Sequence, residues 1–388
     1  MSVETITLGC RLNFAESETI ARSAPEGEDW IVVNSCAVTN EAVRQTRQAV
    51  RRAHRQRPSA RILVTGCAAE LEPQTFADMP EVSLVAGNAR KLSSLATNDV
   101  MPSVPSGFMG HVRSFVGIQT GCDHRCTFCS IWQARGPSRS LPFEAIRDAV
   151  TREIDRGAKE IVLTGVDITD YVGGLGLLCQ RLLAAEPRLE RLRLSSLDSI
   201  EVDEPLFELI AGEPRLMPHF HLSLQAGDDL ILKRMRRRHS GIEAVRTVER
   251  IKAARPDATI GADLIAGFPT ETEEMAFKSL KLLDDCDVIA AHIFPFSPRP
   301  NTPAARMPQL EREVVKSRAA RLRGAATKRR TVWLDSLVGT AQPVLIENGS
   351  KGHADNFAPV TIHGAGRGAT GNARITGHDA DMLTAVWE

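Results

Sequence analysis

The chain has few aromatic side chains: 13 Phe, 4 Trp and 1 Tyr make up 5% of its 388 residues. Platforms for stacking single-stranded bases are therefore few. Neither sign of charge is in surplus, with 48 basic against 48 acidic residues. Any grip on nucleic acid must then come from local patches, not from a global field. No apolar run approaches the roughly 20 residues needed to cross a bilayer, so no membrane partner is expected. No secretory leader is recognisable, and eight cysteines without one point to a reducing compartment, where thiols serve metals or catalysis. A cytoplasmic location is expected. The remaining composition, 43% hydrophobic and 25% charged, is that of a globular chain long enough for two or three domains.

What the sequence does have is concentrated in one loop. Cys122, Cys126 and Cys129 follow a short apolar strand in the pattern C-x3-C-x2-C. A structural zinc site takes four protein ligands, usually as paired C-x2-C units. Here the local count is three. Three thiolates suit a four-iron cluster with one iron left open to a small molecule, and a structural metal knot is the plainer alternative.

Residues 1–97 read as a small α/β domain. Apolar runs at 4–8, 30–33, 61–64 and 82–85 alternate with helical patterns, which predicts a parallel sheet. The longest helix is expected to start at Asn40 as N-cap and to end before Pro58. Cys10, Cys36 and Cys67 each sit just past the C-terminal end of a strand, and in a parallel sheet those ends share one edge. Two readings stand: a second three-thiolate cluster, or three half-buried cysteines acting as small hydrophobes. The helix carries Arg44, Arg47, Arg51, Arg52, Arg55 and Arg57, either a solvated face or a phosphate-facing patch.

Residues 98–111, with Pro102, Pro105 and Gly107, read as a linker. From 112 to 337 six strand–helix units are expected, with strands at 115–119, 160–164, 192–196, 219–224, 259–265 and 288–294. They imply an open (β/α)6 partial barrel, whose functional residues lie at the strands' C-terminal ends. Those ends carry Gly165 and Asp167, Ser196 and Asp198, Ser223 and Gln225, Asp263, and Phe294 to Arg299. Cys179 and Cys286 fit no cluster pattern and read as structural. A basic helix over 311–330 reads either as a solvated connector or as a positive wall leading to the last domain. Residues 338–388, rich in glycine with strand-like runs at 342–346, 357–362, 371–375 and 383–387, predict a small β-barrel.

The cysteine loop, ending Cys-Thr-Phe-Cys, resembles the signature of the radical S-adenosylmethionine (SAM) enzymes. Gly9-Cys10-Arg-Leu-Asn13, Asn34-Ser-Cys36-Ala-Val-Thr39 and Thr65-Gly-Cys67 resemble the amino-terminal domain of the methylthiotransferases. Leu163–Asp167, Ser223–Gly227, Leu232–Met235 with Arg236 and Arg238, and Asp263–Thr270 are similar to core motifs of the same family. Arg-Leu-Ser-Ser-Leu-Asp at 193–198 resembles the threonylcarbamoyladenosine branch more than the isopentenyladenosine or ribosomal-protein branches. The resemblance implies two 4Fe-4S clusters, one on Cys122, Cys126 and Cys129 and an auxiliary one on Cys10, Cys36 and Cys67. It implies SAM as cofactor, bound by Gly165, Asp167, Ser196, Ser223, Gln225, Arg236 and Asp263, and cleaved reductively to a 5′-deoxyadenosyl radical. It implies a tRNA anticodon stem-loop as substrate, an electron donor such as flavodoxin or ferredoxin, and a terminal barrel of the RNA-binding TRAM type. Within the family the alternatives are isopentenyladenosine tRNA or a ribosomal protein side chain. Outside enzymes, an iron–sulfur RNA-binding protein without turnover is the alternative. Ser130, Trp132 and Asn301 depart from the family's usual residues at these positions.

Overall fold

A computed structural model describes residues 3–24, 27, 29–93, 95, 104–107 and 112–388. The amino-terminal sheet has four parallel strands in chain order, Glu4–Thr7, Trp30–Ser35, Arg61–Gly66 and Leu84–Ala86. The two central strands are covered on both faces, which is why they read as near-continuous apolar runs. Ile31, Val33, Ile62 and Val64 pack against Val43, Val50 and Ala53 of the helix Asn40–Gln56. Trp30, Val32 and Leu63 pack on the other side against Ile20. The N-cap of that helix is Thr39, whose hydroxyl accepts from Ala42 N at 3.1 Å, not Asn40 as expected. Asn40 is drawn off by the central domain: its amide donates to Pro298 O at 3.1 Å, and Arg299 donates to its side chain.

The central part has six parallel strands in chain order: Arg113–Gly117, Glu160–Thr164, Leu192–Leu194, His219–Gln225, Thr259–Ala266 and Val288–Pro295. Their hydrogen bonding falls into two groups of three, linked by parallel bridges at Leu192–Leu216 and Leu197–Leu222. Alternate residues point to opposite faces. Val116, Ile161, Leu163, Phe220, Leu222, Leu224, Ile260, Ala262 and Leu264 join the apolar core under the surrounding helices. Arg113, Phe115, Glu160, Arg193, His219, His221, Ser223 and Asp263 therefore face the concave side.

The expected linker lies partly outside the described residues, at 98–103 and 108–111. Its described part is not linker: Ser106–Gly107 forms an antiparallel edge strand on Val116 and Phe115. Ser106 is buried there, its hydroxyl donating to Glu153 at 3.0 Å.

The basic helix runs Arg312–Leu337, and its charge is largely neutralised. Arg318 pairs with Glu271 at 2.9 Å, Arg321 with Glu273, and Arg329 with Asp284 and Asp287. The helix is thus mostly a set of struts to the central domain rather than a positive wall. The carboxy-terminal part is a closed barrel of five strands, Ala341–Asn348, Lys351–Ala354, Pro359–Ile362, Leu383–Trp387 and Thr370–His378. Its turn Asp355–Phe357 closes the end of the concave wall where the strands begin. Phe357 stacks on His219 (5.0 Å) and on His353 (4.4 Å), under the guanidinium groups of Arg193 (4.8 Å) and Arg113 (5.3 Å). Thr259 Oγ1 donates to Asn356 O at 2.7 Å. No described helix is long and apolar enough to cross a membrane.

Candidate functional site

The cysteine loop is fixed from several sides. Cys122 N donates to Gly136 O at 3.1 Å, and Thr127 donates through N and Oγ1 to the carbonyls of Met235 (3.1 Å) and Arg234 (2.8 Å). Ser130 Oγ donates to Ala37 O at 3.3 Å, so this departure from the family pattern ties the loop to the amino-terminal domain. Asn301 has φ +64°, the left-handed region where glycine is freest and asparagine is among the best substitutes.

All eight cysteines are unbridged. Burial, then Asp167, Cys129 and Cys126, pushes the Cys122 thiol up to about 12. Burial, then Cys126 and more weakly Cys67, holds Cys129 at about 11. Cys126 is buried with Arg237 Nη1 3.8 Å from its sulfur. These thiols lie within electrostatic reach of one another, and the cations beside them are Arg237 and His124.

The amino-terminal cysteines also lie within electrostatic reach of one another. A Cβ on Gly9 would stand 2.9 Å from Cys36 Sγ. Burial, together with Cys10 and Cys67, lifts Cys36 to about 11, and the protein packed around Cys10, with Cys67, raises it against the pull of Arg135. Cys36 and Cys67 are buried while Cys10 reaches solvent. Arg135 Nε lies 3.4 Å from Cys67 Sγ, and Arg135 grips Glu16 with two hydrogen bonds (2.7 and 2.9 Å) and Asn13 with a third (2.7 Å). Lys91 is the second cation on Glu16. These charges join the cysteine loop's own helix to the first helix of the chain. A cavity of about 430 Å³ opens beside them, lined among others by Glu16, Glu70, Asn88, Gln119 and Arg135.

The donor sets fit clusters better than a single ion. Cys122, His124 and Asp167 place ligand atoms within 4.8 Å of one another. But His124 faces carboxylates through both ring nitrogens, Nε2 at 3.0 Å from Asp167 and Nδ1 at 3.6 Å from Asp198. Its hydrogen bonds to Asp167 and Glu201 raise it to about 10, so it is an imidazolium at neutral pH and has no lone pair to give. That leaves three thiols per group.

The other expected residues divide. Asp167, between Cys122 and His124, accepts from Thr169 at 2.8 Å. Gly165 opens the turn whose next two amides donate to Gln119 Oε1 (3.1 and 2.9 Å). Ser196 and Ser223 hydroxyls are 2.9 Å apart. Gln225 ends its strand in a left-handed conformation, φ +66°. Asp263 lies deeper, accepting from His221 Nε2 (2.9 Å) and His292 Nδ1 (3.1 Å). Gly261 makes this possible, since a Cβ there would stand 2.5 Å from the His221 ring. Arg236 is not brought to the site: it is the exposed, left-handed C-cap of Asp229–Met235. The turn it makes sends Arg237 inward instead, to Asp198 (2.9 Å) and Ser223 O (3.0 Å). Sequence reasoning missed the roles of Arg237, Arg135, Glu16 and His124. His124 lies inside the cysteine loop and Arg135 just past it, and that position is the signal they carried. Cys179 and Cys286 are fully buried among apolar side chains.

Residues 116–283 match the profile described as Radical SAM superfamily, and residues 2–87 the one described as Uncharacterized protein family UPF0004. The chain is 42% identical to the threonylcarbamoyladenosine tRNA methylthiotransferase MtaB of Rickettsia prowazekii, over 92% of this chain and 91% of that one. It is 33% identical to the tRNA-2-methylthio-N(6)-dimethylallyladenosine synthase of Erythrobacter litoralis, over 89% and 86%. Among solved structures it resembles the radical S-adenosylmethionine methyltransferase TsrM from Kitasatospora setae, with TM-score 0.53 and 15% identity over 74% of this chain and 67% of that one. That likeness is one of fold. On the strength of the nearly full-length matches, the chain belongs to the MtaB-like radical SAM methylthiotransferase family.

Proposed function

We propose that the enzyme replaces C2–H of N6-threonylcarbamoyladenosine, beside the tRNA anticodon, with C2–SCH3. The observation that carries this is the 42% identity across nine-tenths of the chain to a relative named for that nucleoside. C2–H has no acidic proton and no leaving group, so acid–base chemistry does not open it. A SAM-bound 4Fe-4S cluster supplies the radical for such a bond; the protein holds and aims it.

In this reading Cys122, Cys126 and Cys129 hold the SAM cluster, and Cys10, Cys36 and Cys67 an auxiliary 4Fe-4S cluster that serves sulfur delivery. Gly165, Asp167, Ser196, Ser223, Gln225 and Asp263 form the SAM and substrate surface, with Arg237 taking the place first given to Arg236. Arg237 and Arg135 each set a cation beside a buried cysteine sulfur, that of Cys126 and that of Cys67. The division runs 1–97 for the auxiliary-cluster domain, 112–337 for the partial (β/α)6 barrel and 338–388 for a TRAM-like barrel. Exposed Arg51, Arg52 and Arg55 offer phosphate contacts to the anticodon stem-loop. An electron donor of the flavodoxin or ferredoxin type reduces the cluster in the cytoplasm.

The 33% identity to a dimethylallyladenosine enzyme supports a second reading, with that nucleoside as substrate. Mass spectrometry of tRNA nucleosides from a deletion strain separates them. Loss of 2-methylthio-N6-threonylcarbamoyladenosine is expected. Unchanged 2-methylthio nucleosides reject a tRNA substrate, and no 5′-deoxyadenosine from reduced, cluster-loaded protein with SAM rejects catalysis.

A further inference from the structure

Among the described residues the guanidinium groups at the concave wall have carboxylate partners, save one. Arg113 pairs with Glu347 (2.9 Å) and, more loosely, Glu160 (3.9 Å). Arg191 pairs with Glu160 (3.1 Å) and Asp355, and Arg193 with Glu160 (2.7 Å). Asp263 is taken by His221 and His292. Arg11 stands apart: it has no hydrogen bond and no ion pair among the described residues, though it is half-buried.

Its position follows from the helix it begins, Arg11–Ser23. That helix lies along the strand Arg113–Gly117. Phe14 meets Phe115 with ring centroids 6.3 Å apart, and Leu12 Cδ1 stands 3.0 Å from where a Gly117 Cβ would be. Phe115 is a concave-face residue, and residues three apart share a helix face. Arg11 therefore projects with Phe14 over the concave wall, one residue from Cys10. Its guanidinium is a cation at neutral pH. It has been partly stripped of water and given no partner, and a planar guanidinium is built to take a carboxylate through two parallel hydrogen bonds.

The substrate of the proposed reaction supplies that group. A threonylcarbamoyl substituent on N6 carries a free carboxylate; a dimethylallyl substituent carries no charge. We propose that Arg11 receives the threonyl carboxylate and is the residue by which this enzyme prefers the acid-bearing nucleoside over the uncharged one. The inference rests on the substrate reading above. It places the N6 substituent between the first turn of the chain's first helix and the concave wall, on the side of Cys10.

A site built around a charged partner rejects the ligand that lacks it by large factors, because its own group is left unpaired. The test compares wild type, Arg11→Gln and Arg11→Lys on two synthetic anticodon stem-loops of one sequence, bearing threonylcarbamoyl- or dimethylallyladenosine. Arg11→Gln is expected to raise KM for the acid-bearing RNA by about tenfold or more and to narrow the preference between the two RNAs. Arg11→Lys is expected to recover part of that preference, with iron per chain unchanged in both. An unaltered preference in Arg11→Gln overturns the inference. So does a loss of activity that tracks a loss of iron, which would make Arg11 a support of the Cys10 site. If wild type fails to methylthiolate the acid-bearing RNA, the substrate reading falls, independently of what the variants do.

Discussion

Gly66 separates the backbone's part in the amino-terminal cysteine site from that of the thiols. It ends the strand Arg61–Gly66 and precedes Cys67, with φ +93° and ψ −170°. A Cβ there would stand 2.4 Å from Ser35 O, 2.6 Å from Ser35 N and 2.6 Å from Asn34 Oδ1. Two of those atoms are backbone in the neighbouring strand and cannot swing away. Gly66→Ala therefore carries two costs. The backbone conformation, open almost only to glycine, costs about 1–3 kcal/mol. The overlap, relieved by shifting strand against strand, costs about 1–3 kcal/mol more. Gly157→Ala is the control: its φ is +95°, but nothing lies within 4 Å of the added carbon. Thermal unfolding of the metal-free chains is expected to show Gly66→Ala less stable than Gly157→Ala by about the overlap term alone, 1–3 kcal/mol. Reconstituted with iron and sulfide, the wild type is expected to hold about eight irons per chain, on four per cluster. Gly66→Ala is expected to fall towards about four, still cleaving SAM, because Cys67 no longer reaches its partners. Equal stability of the two variants together with full iron in Gly66→Ala refutes the reasoning.

Three further outcomes are expected. Glu160 is buried, which alone raises its pKa, but Arg193, Arg191 and Arg113 bring it from 4.5 to about 2. A depressed carboxylate gives stability above its unfolded pKa and loses it as pH falls through the folded value, here roughly 3 kcal/mol lost between about pH 5 and pH 2. The stability gap between wild type and Glu160→Gln should narrow across that window; a constant gap contradicts the assignment. Arg237→Leu should lower 5′-deoxyadenosine formation by about a hundredfold, and Arg236→Leu by less than about twofold; the reverse order restores Arg236 to the site. Arg51→Gln with Arg55→Gln should weaken stem-loop binding and reduce the slope of log K against log salt by roughly 1–2. An unchanged slope returns that helix face to bulk solvent.

Much of the architecture was legible because burial leaves a mark on local sequence. Trp30–Ser35 and Glu160–Thr164, covered on both faces, read as strands for that reason. The strand Lys351–Ala354 was not found, since Lys-Gly-His-Ala shows no apolar alternation; its pairing with Pro359–Ile362 makes it a strand. Arg236 and Arg237 are neighbours of one type, and only the left-handed turn at the end of Asp229–Met235 decides which one enters the site. Arg135 and Glu16 lie 119 positions apart, so their bidentate pairing leaves no local trace.

The sequence alone determined where thiols stand relative to strand ends, because strand periodicity and cysteine spacing are both local. It thereby determined two groups of three cysteines and the family they resemble. Tertiary structure decided what surrounds them. Arg135 and Arg237 were set beside sulfur, the Asp355–Phe357 turn was placed under the concave wall, and Arg11 was left without a carboxylate. Those are matters of charge balance and desolvation among residues distant in the chain, and they exist only once the chain is folded.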